Sequence, residues 1–285
     1  MILFLVRGAF YILAFYVIIM AIVYVAQRSL QYFPDKNNPG DPADSGVPAM
    51  RIVEIGTEDG FMLNAWFAPP ENKNGYIAVI FHGNAGHIGH RAIKAQHFID
   101  KGMGALLLDY RGFGGNPGAP SEQGLYKDAR GALRFLEKQG YSQSQVILYG
   151  ESIGSGVAVQ MAYEIQPRYL ILEAPFSSAV DVARLRYYFL PVDWLMKDRF
   201  DSASKIGGIK TNLLIVHGDE DGVIPIELAQ ILFEKANHPK EFVAINGGHH
   251  NDLYDHHAGH IIGEWLEKQL AAEKPQGNHT GPFGE

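Results

Sequence analysis

A serine between two glycines stands where a predicted strand gives way to a predicted helix. The run Val146–Tyr149 is short, apolar and bounded by turn residues, and apolar side chains recur at helical spacing after Gly154. Gly150 and Gly154 flank Ser152 and allow a corner so sharp that its hydroxyl stands clear of the backbone. This nucleophile elbow predicts that Ser152 attacks a carbonyl carbon, with the Ile153 N–H facing the developing oxyanion.

A serine hydroxyl is a weak nucleophile, so it needs a base that is itself oriented by a third group. Two later stretches offer candidates near the ends of predicted strands, and each offers a pair. Asp219 and Asp221 follow a strand that ends at His217, and His249 and His250 follow a Gly-Gly turn after the next strand. The sequence therefore predicts a Ser-His-Asp catalytic triad, while the residues alone leave the acting member of each pair open.

Strands and helices alternate along most of the chain. Periodicity predicts strands at residues 76–81, 104–109, 146–149, 169–173, 213–217 and 241–245, and helices at 91–101, 121–139, 153–165 and 226–237. Before them, a turn at 58–60 joins two strands as a hairpin. This order predicts an α/β fold with a mainly parallel, doubly wound sheet of about eight strands and the hairpin at an antiparallel edge. Ligands of such sheets bind beyond the carboxyl ends of the strands, where the candidate residues lie.

One segment interrupts this alternation. Residues 177–206 are too many for a simple crossover loop and are rich in large apolar side chains. We interpret them as a short helical lid over the carboxyl edge of the sheet; an ordinary crossover helix with aromatic packing is the alternative. In a lid, the apolar part of a substrate would contact Tyr188, Phe189, Trp194 and Leu195.

The composition excludes several classes of protein. The 285 residues are enough for one large α/β domain. The absence of cysteine excludes disulfides, thiolate metal sites and a cysteine nucleophile. A net charge of −7 argues against a nucleic-acid partner, which normally requires a basic face. His256 and His260 lie a helical turn apart, but the H-E-x-x-H pattern of a catalytic zinc site is missing, so neither a metal nor an organic cofactor is predicted.

The N-terminal segment differs from the rest of the chain. Residues Gly8–Ala26 carry no charge and are enough to cross a bilayer as a helix. A cleaved signal peptide is the alternative, but its apolar region is usually shorter and ends in small residues, which Tyr24 does not fit. We therefore expect a single-pass membrane anchor; Arg7 and Arg28 on its two flanks leave its orientation open. The predicted boundaries are 1–28 for the anchor, 29–48 for a linker, 49–271 for the domain and 272–285 for a flexible tail.

Four stretches of this sequence resemble one protein family. They are "FHGNAGHIGHR", "LDYRGFGGNPG", "YGESIGSG", and "HGDEDGVIP" together with the later "GGHHND". Over residues 32–270 the chain resembles the membrane-anchored serine hydrolases of the α/β-hydrolase superfamily, a branch that includes protein depalmitoylases and related esterases. The chain order Ser, Asp, His is also that of the superfamily. The resemblance implies the α/β-hydrolase fold.

The resemblance also implies which residues act. In similar sequences the acid is the later aspartate of its run, which corresponds to Asp221, and the base is the histidine before Asn-Asp, which corresponds to His250. The residue after His-Gly supplies a second oxyanion N–H, here Asn84. These residues imply hydrolysis of carboxylic esters or thioesters with an apolar acyl part, carried by small molecules, lipids or acylated proteins. Peptide hydrolysis, acyl transfer and a non-catalytic binding role are the alternatives, and the sequence does not determine the oligomeric state.

Overall fold

Helices and strands alternate along the described part of the chain, residues 1–73 and 75–273 of a computed structural model. In chain order they are α1 (Ile2–Gln31), β1 (Phe33–Pro34), β2 (Arg51–Gly56), β3 (Met62–Ala68), β4 (Ile77–Phe81), β5 (Ala85–Gly86), α2 (Ala92–Ile99), β6 (Gly104–Leu108), α3 (Glu122–Lys138), β7 (Val146–Glu151), α4 (Ile153–Ile165), β8 (Tyr169–Glu173), α5 (Ala179–Arg186), α6 (Val192–Leu195), β9 (Asn212–Gly218), α7 (Ile226–Lys235), β10 (Lys240–Ile245) and α8 (Ala258–Glu273). Short 3₁₀ helices lie at Pro42–Ser45, Ile88–Arg91, Gln143–Gln145 and Ile206–Gly208. Each predicted strand and helix is present, with ends within two residues of the expected positions.

Eight strands form one sheet in the order β10-β9-β8-β7-β4-β6-β3-β2. Neighbours from β10 to β6 are parallel, whereas β3 is antiparallel to both β6 and β2. The predicted fold class, a mainly parallel α/β sheet with an antiparallel hairpin edge, is confirmed. The chain leaves β4 toward β6 on one side and returns through β7 on the other, so β4 and β7 border the point where the strand order reverses. Ligand sites of α/β sheets lie at such points.

The sheet is buried on both faces. Adjacent residues of a strand point to opposite sides: Val79 and Leu148 lie in one apolar cluster with α3 and α4, and Ile80 and Tyr149 lie in the other with α2 and α8. Strands covered on both faces are continuous apolar runs. The two clusters hold the strand ends rigidly, which is what a site at the carboxyl edge requires.

The segment 177–206, hereafter the insertion, leaves the sheet after β8 and returns before β9. It contains α5 and α6, in keeping with the short helices expected for it. The Ala179 N–H donates to the Arg199 carbonyl at 2.8 Å, and the Ala203 N–H donates to the Ser177 carbonyl at 2.9 Å. These bonds tie the two ends of the insertion together. Val180, Leu190 and Val192 of the insertion pack against α1, whereas Phe200 and Ile206 belong to the apolar cluster that contains α3 and α4.

The N-terminal helix is long and apolar enough to cross a membrane, and none of its residues is buried. It continues to Gln31, and the chain then pairs β1 in parallel with β5, placing Phe33 opposite Ala85 and Pro34 opposite Gly86. The segment that follows α1 is therefore bonded to the loop that follows β4. At the other end of the chain, residues 272 and 273 of the predicted tail belong to α8, and 274–285 lie outside the described residues.

Candidate active site

Ser152 occupies the corner between β7 and α4. Its φ of 52° and ψ of −119° lie in a region that residues with side chains rarely adopt. The corner also needs both flanking glycines. A Cβ on Gly150 would lie 2.6 Å from the Ser155 Cα, and a Cβ on Gly154 would collide with the Phe81 carbonyl. The predicted strand, sharp turn and helix are therefore present, with Ser152 at the carboxyl end of a central strand.

Ser152, His250 and Asp221 form one hydrogen-bonded chain. The Ser152 Oγ lies 2.9 Å from the His250 Nε2, and the His250 Nδ1 lies 2.7 Å from the Asp221 Oδ2. The loops after β9 and β10 bring the aspartate and the histidine to a serine that is 98 residues from His250 in sequence. In this arrangement a base lies within reach of the hydroxyl proton, and a carboxylate orients the base.

The carboxyl group of Asp221 is fully buried and well supplied with donors. Its Oδ1 accepts the Val223 and Ile224 N–H groups, both at 2.8 Å, while its Oδ2 faces His250. Burial alone would raise the pKa of this carboxyl, but the bonds from His217 and His250 and the backbone N–H groups outweigh burial and hold the pKa well below its ordinary value. The group is therefore a carboxylate at neutral pH.

His217 is a supporting residue that the sequence reasoning did not single out. Its Nε2 lies 2.9 Å from the Ile224 carbonyl and 3.3 Å from the Asp221 Oδ2, and its ring is completely buried. One signal was available in the sequence, because His217 ends a strand four residues before Asp221. The ring helps to keep the Asp221 carboxylate in place between β9 and α7.

The other member of each pair has different partners. Asp219 is exposed, and its Oδ1 accepts the Gly247 N–H at 2.7 Å, which joins the two loops. His249 is also exposed, and its ring nitrogens face Asp252 at 3.2 Å and Glu220 at 3.7 Å. The structure thus brings together the members that the family resemblance implied and leaves their neighbours at the surface.

The chain is similar to known proteins over most of its length. A sequence model of the family described as "Serine aminopeptidase, S33" matches residues 73–196. An uncharacterized protein of Mycobacterium tuberculosis is 37% identical over 236 residues, which are 82% of this chain and 84% of that protein. Alpha/beta hydrolase domain-containing protein 17B of Xenopus laevis is 32% identical over 212 residues, which are 70% of this chain and 67% of that protein. This chain belongs to the α/β-hydrolase superfamily.

Solved structures agree with that membership at the level of the fold. An esterase of Pyrococcus furiosus matches with a TM-score of 0.66 and 20% identity, covering 83% of this chain and 98% of that one. The esterase domain of a Rhodothermus marinus protein matches with a TM-score of 0.60 and 21% identity, covering 77% and 98%. At such identities the likeness shows the fold alone. The superfamily resemblance seen in the sequence is confirmed, and membership supports hydrolase activity.

In this α/β-hydrolase the loop after β4 is bonded to the end of α1. The Phe33 N–H donates to the Asn84 carbonyl at 2.8 Å, and the Asn84 side-chain amide donates to the Gln31 carbonyl at 3.0 Å. Asn84 is the residue expected to offer an oxyanion N–H. The other expected donor, the Ile153 N–H, belongs to the first turn of α4, where N–H groups have no partner within the helix. The segment after the apolar helix thus holds the backbone of the candidate oxyanion loop.

A buried cluster of ion pairs lies beside Ser152. Glu151 binds Arg91 at 2.9 Å and Lys94 at 3.0 Å, and Lys94 also binds Glu173 at 2.5 Å. Burial raises the pKa of Glu151, but the charges of Lys94 and Arg91 outweigh it and hold that pKa far below its ordinary value. The partners of Glu151 lie about sixty residues earlier in the chain, since Arg91 ends the 3₁₀ helix Ile88–Arg91 and Lys94 lies on α2. The cluster fixes α2 to the strand that carries the serine.

Two other polar residues at strand ends have structural partners. His82 is completely buried, its Nδ1 lies 2.8 Å from the Gly83 carbonyl, and its Nε2 lies 3.4 Å from Asp109. Arg111 binds the carboxylate of buried Asp128 at 2.7 Å. Both residues stabilise loops at the carboxyl edge, and neither contacts Ser152 through a hydrogen bond that the described structure contains.

The aromatic residues expected to bind substrate are mostly on the outside of the insertion. Tyr188 is 84% exposed, Trp194 is 88% exposed and Phe189 is 55% exposed. Leu195 is partly buried, but it packs against the core that the insertion shares with α1. Side chains this exposed do not form the wall of an enclosed acyl pocket. The expected wall of Tyr188, Phe189 and Trp194 is therefore not present, because the insertion turns its inner apolar residues toward α1 and leaves these aromatics on its surface.

One group of side chains has metal-ligand types. Ligand atoms of Asp35, His87 and His90 lie within 4.8 Å of one another. The two rings are stacked with an interplanar angle of only 14°, so their in-plane lone pairs do not converge on one point. In addition, the His87 Nδ1 accepts the Gly89 N–H at 3.1 Å, which places the proton of the neutral ring on the Nε2 that faces Asp35. This geometry suits an imidazole paired with a carboxylate and does not suit a metal ion.

Proposed function

We propose that this α/β-hydrolase is a membrane-anchored serine hydrolase that cleaves carboxylic esters or thioesters with an apolar acyl part. The observation that supports the proposal most directly is the hydrogen-bonded chain from Asp221 through His250 to Ser152, at 2.7 and 2.9 Å. It lies at the end of β7, beside the point where the strand order reverses. The Ser152 corner supports the proposal independently, because its φ of 52° with a ψ of −119° is a strained conformation of the kind that clusters at active sites.

In the proposed reaction the Ser152 Oγ attacks the carbonyl carbon while the His250 Nε2 takes the hydroxyl proton. The Ile153 and Asn84 N–H groups bind the oxyanion of the tetrahedral intermediate. The intermediate collapses to an acyl-enzyme, and the alcohol or thiol leaves with the proton from the imidazolium. Water then attacks the acyl group with the same histidine as base, releasing the carboxylic acid and Ser152.

Asp221 holds the imidazole in the tautomer that presents an unprotonated Nε2 to the serine. Its low pKa keeps the carboxylate charged, so it also stabilises the imidazolium that forms during attack. Because backbone N–H groups and His217 fix the carboxylate, this electrostatic support is in place before the substrate arrives.

The bond that is cleaved has two candidate classes. The solved structures named above are called esterases, which favours an ester. The family model that matches residues 73–196 is described as a serine aminopeptidase, which favours an amide at a free amino terminus as the second candidate. Both reactions use the same acyl-enzyme, so the leaving group distinguishes them.

The apolar N-terminal helix supports a substrate at the membrane. An anchored enzyme meets acyl lipids and acylated proteins at high local concentration, and an apolar acyl part is common to both. The helix is also bonded to the loop of Asn84, so anchor and site are parts of one unit.

A fluorophosphonate probe and a substrate panel test the proposal on the full chain in detergent or vesicles. We expect the probe to label Ser152 and the panel to show turnover of acyl esters or thioesters, with no labelling or turnover in Ser152→Ala. Turnover of aminoacyl amides at a higher kcat/KM than of esters would select the peptidase instead. A well-folded chain that neither reacts with the probe nor turns over any acyl compound would show that the fold serves binding.

A further inference from the structure

The insertion and the N-terminal helix share an apolar core. Three buried side chains form the part that comes from the insertion: Val180, Leu190 and Val192. The part that comes from α1 consists of Tyr16, Ile19, Met20 and Val23. The insertion is therefore packed along the helix over two turns.

Hydrogen bonds continue along the same contact. The Tyr16 hydroxyl donates to the Phe189 carbonyl at 2.7 Å, and the Arg28 guanidinium donates two bonds to the Asp198 carboxylate, at 2.8 and 3.1 Å. From Tyr16 to Arg28 an α-helix rises about 18 Å, whereas the hydrocarbon core of a bilayer is about 30 Å thick. Tyr16 lies inside the uncharged stretch Gly8–Ala26, whereas Arg28 follows that stretch. Where α1 crosses a bilayer, the Tyr16 end of this contact therefore lies at the depth of the hydrocarbon and the Arg28 end lies at headgroup level.

The insertion has large apolar side chains on its surface along this contact. Phe189 is bonded to Tyr16, whereas the carbonyl of Leu195, next to Trp194, accepts a bond from Gln27 at 3.1 Å. Five of these apolar side chains are exposed, and we call this group the aromatic tip: Leu185, Tyr187, Tyr188, Phe189 and Trp194. Single exposed apolar residues are ordinary, but a group of this size on one short segment marks a contact surface. Tyrosine and tryptophan are the residues enriched where a protein meets the interfacial zone of a membrane.

The neighbouring helix indicates what covers the aromatic tip. Large apolar side chains of α1 are exposed along its length, and none of its residues is buried. A protein partner covers one side of such a helix, whereas lipid covers all of it. Arg184 and Arg186 adjoin the tip, and Trp194 lies next to the residue that binds Gln27, so the polar headgroup level suits this part of the tip.

We propose that the aromatic tip is immersed in the bilayer that holds α1, with Trp194 in the interfacial zone, which makes the insertion a second membrane contact. This proposal rests on the anchor that forms part of the proposed function. The insertion leaves the sheet at the carboxyl end of β8, so the contact holds the edge that carries Ser152 close to the leaflet surface. A substrate with its acyl chain in the leaflet then reaches the site without crossing water.

Trp194 itself is the reporter for the experiment. The chain has three tryptophans, and Trp66 and Trp265 are buried in the sheet domain. The full chain is incorporated into phosphatidylcholine vesicles whose acyl chains carry bromine near the headgroup, and its fluorescence is compared with that in unbrominated vesicles. We expect bromine to remove most of the Trp194 emission and to have little effect in Trp194→Phe.

The matched control is Ser144→Trp in the Trp194→Phe background. Ser144 is exposed just before β7, at the opposite edge of the sheet from Ser152, so its tryptophan should remain in water and escape the bromine. Quenching of Trp194 no greater than that of the control, in protein that floats with the vesicles, would overturn the proposal while leaving the anchor intact. Protein that does not float would overturn both.

Two further readouts separate the remaining explanations. Trp194 emission that shifts with protein concentration but not with bromine would assign the tip to a second copy of this chain and overturn the proposal. Turnover of a water-soluble acetyl ester, measured in the same vesicles, reports on the proposed chemistry separately. A result in which Trp194 is quenched while neither this ester nor any member of the substrate panel is hydrolysed would thus refute the hydrolase and retain the membrane contact.

Discussion

Polar side chains are buried at the carboxyl edge of the sheet, whereas large apolar side chains are exposed on the insertion. At the sheet edge, charged and hydroxyl side chains such as Asp221, Glu151 and Ser152 are buried. On the insertion, Tyr188 and Trp194 are exposed. Buried polar groups are costly unless they are paired, and each of these has partners at hydrogen-bond distance. The sheet edge thus keeps its polar groups inside the protein, and the insertion exposes apolar surface to its surroundings.

Because of this difference in burial, substitutions in the two regions should have different effects. Changes at the sheet edge should remove turnover or folding stability whatever the substrate, because they break a buried network. Changes on the outer face of the insertion should matter only where the surroundings include lipid.

The first prediction concerns the nucleophile. Ser152→Ala should lower kcat/KM for every acyl substrate by on the order of 10⁴-fold or more, because no other group supplies the attacking oxygen. The thermal midpoint should change little, since alanine fits the same corner. Steady-state kinetics and a thermal melt of the full chain measure both quantities, and turnover that survives in purified Ser152→Ala would refute the serine mechanism.

The second prediction concerns the base. His250→Ala should lower kcat by about 10⁴-fold or more, because the serine proton then has no acceptor. His249→Ala is the matched control, since its exposed ring has surface partners only, and it should retain most of the activity. If His249→Ala were the inactive variant, the geometry described here would not be that of the working enzyme.

The third prediction concerns the aspartates. Asp221→Asn should lower kcat by about 10²–10⁴-fold, because an amide can hold the imidazole in the wrong tautomer and cannot stabilise its charged form. Asp219→Asn keeps an oxygen for the Gly247 N–H and should cost little. The ratio of the two kcat values is the measurement, and equal losses would mean that the loop as a whole, and not the carboxylate, supports the reaction.

The fourth prediction concerns stability at the buried ion cluster. Glu151→Gln removes the partner that Arg91 and Lys94 share, and it should lower the free energy of unfolding by about 3 kcal/mol at neutral pH. Glu164→Gln breaks a more exposed pair with Arg130 at 2.7 Å and should cost less than about 1 kcal/mol. Denaturant unfolding of both variants measures the contrast.

The same carboxyl gives this effect a pH dependence. Because the folded-state pKa of Glu151 lies below its ordinary value, its contribution to stability is complete above that ordinary value and is lost as the pH falls through the folded-state pKa. The difference between the original chain and Glu151→Gln should therefore be largest near neutral pH and should shrink in strong acid. A difference that grows as the pH falls would contradict the pairing.

The sheet edge could be predicted from sequence to a greater extent than the insertion. Strands such as β4 and β8 are buried on both faces and appear as continuous apolar runs, so their ends could be placed within two residues. Ser152 lay at such an end. The choice of Asp221 over Asp219 could not be made from spacing, because it depends on which loop residue the Ile224 N–H meets.

Long-range packing explains what the sequence did not reveal. The partners of Glu151 are Lys94 on α2 and Arg91 at the end of the 3₁₀ helix before it. The apolar face of the insertion that Phe189 borders is covered by α1, more than 150 residues earlier. The sequence of a hydrophobic segment does not indicate which of its faces a distant element will cover. For that reason the aromatic residues of the insertion suggest a lid that contacts the substrate when only the sequence is considered, while the structure puts Tyr188 and Trp194 on the surface.

The last and smallest effect concerns the aromatic tip. Tyr188→Ser combined with Trp194→Ser should leave kcat/KM for a soluble acetyl ester unchanged and should lower turnover of a long-chain ester in vesicles by a few-fold, because α1 still anchors the chain but the sheet edge is held less closely to the leaflet. Ile231→Ser, at an exposed position on α7, is the control and should change neither rate. A pocket-wall role instead predicts a loss that grows with acyl length even for monomeric esters in detergent-free solution. Ordinary packing predicts an equal loss on every substrate together with a lower melting temperature. Only a loss confined to vesicle-borne substrate, at an unchanged melting temperature, fits a side chain whose partner is the membrane.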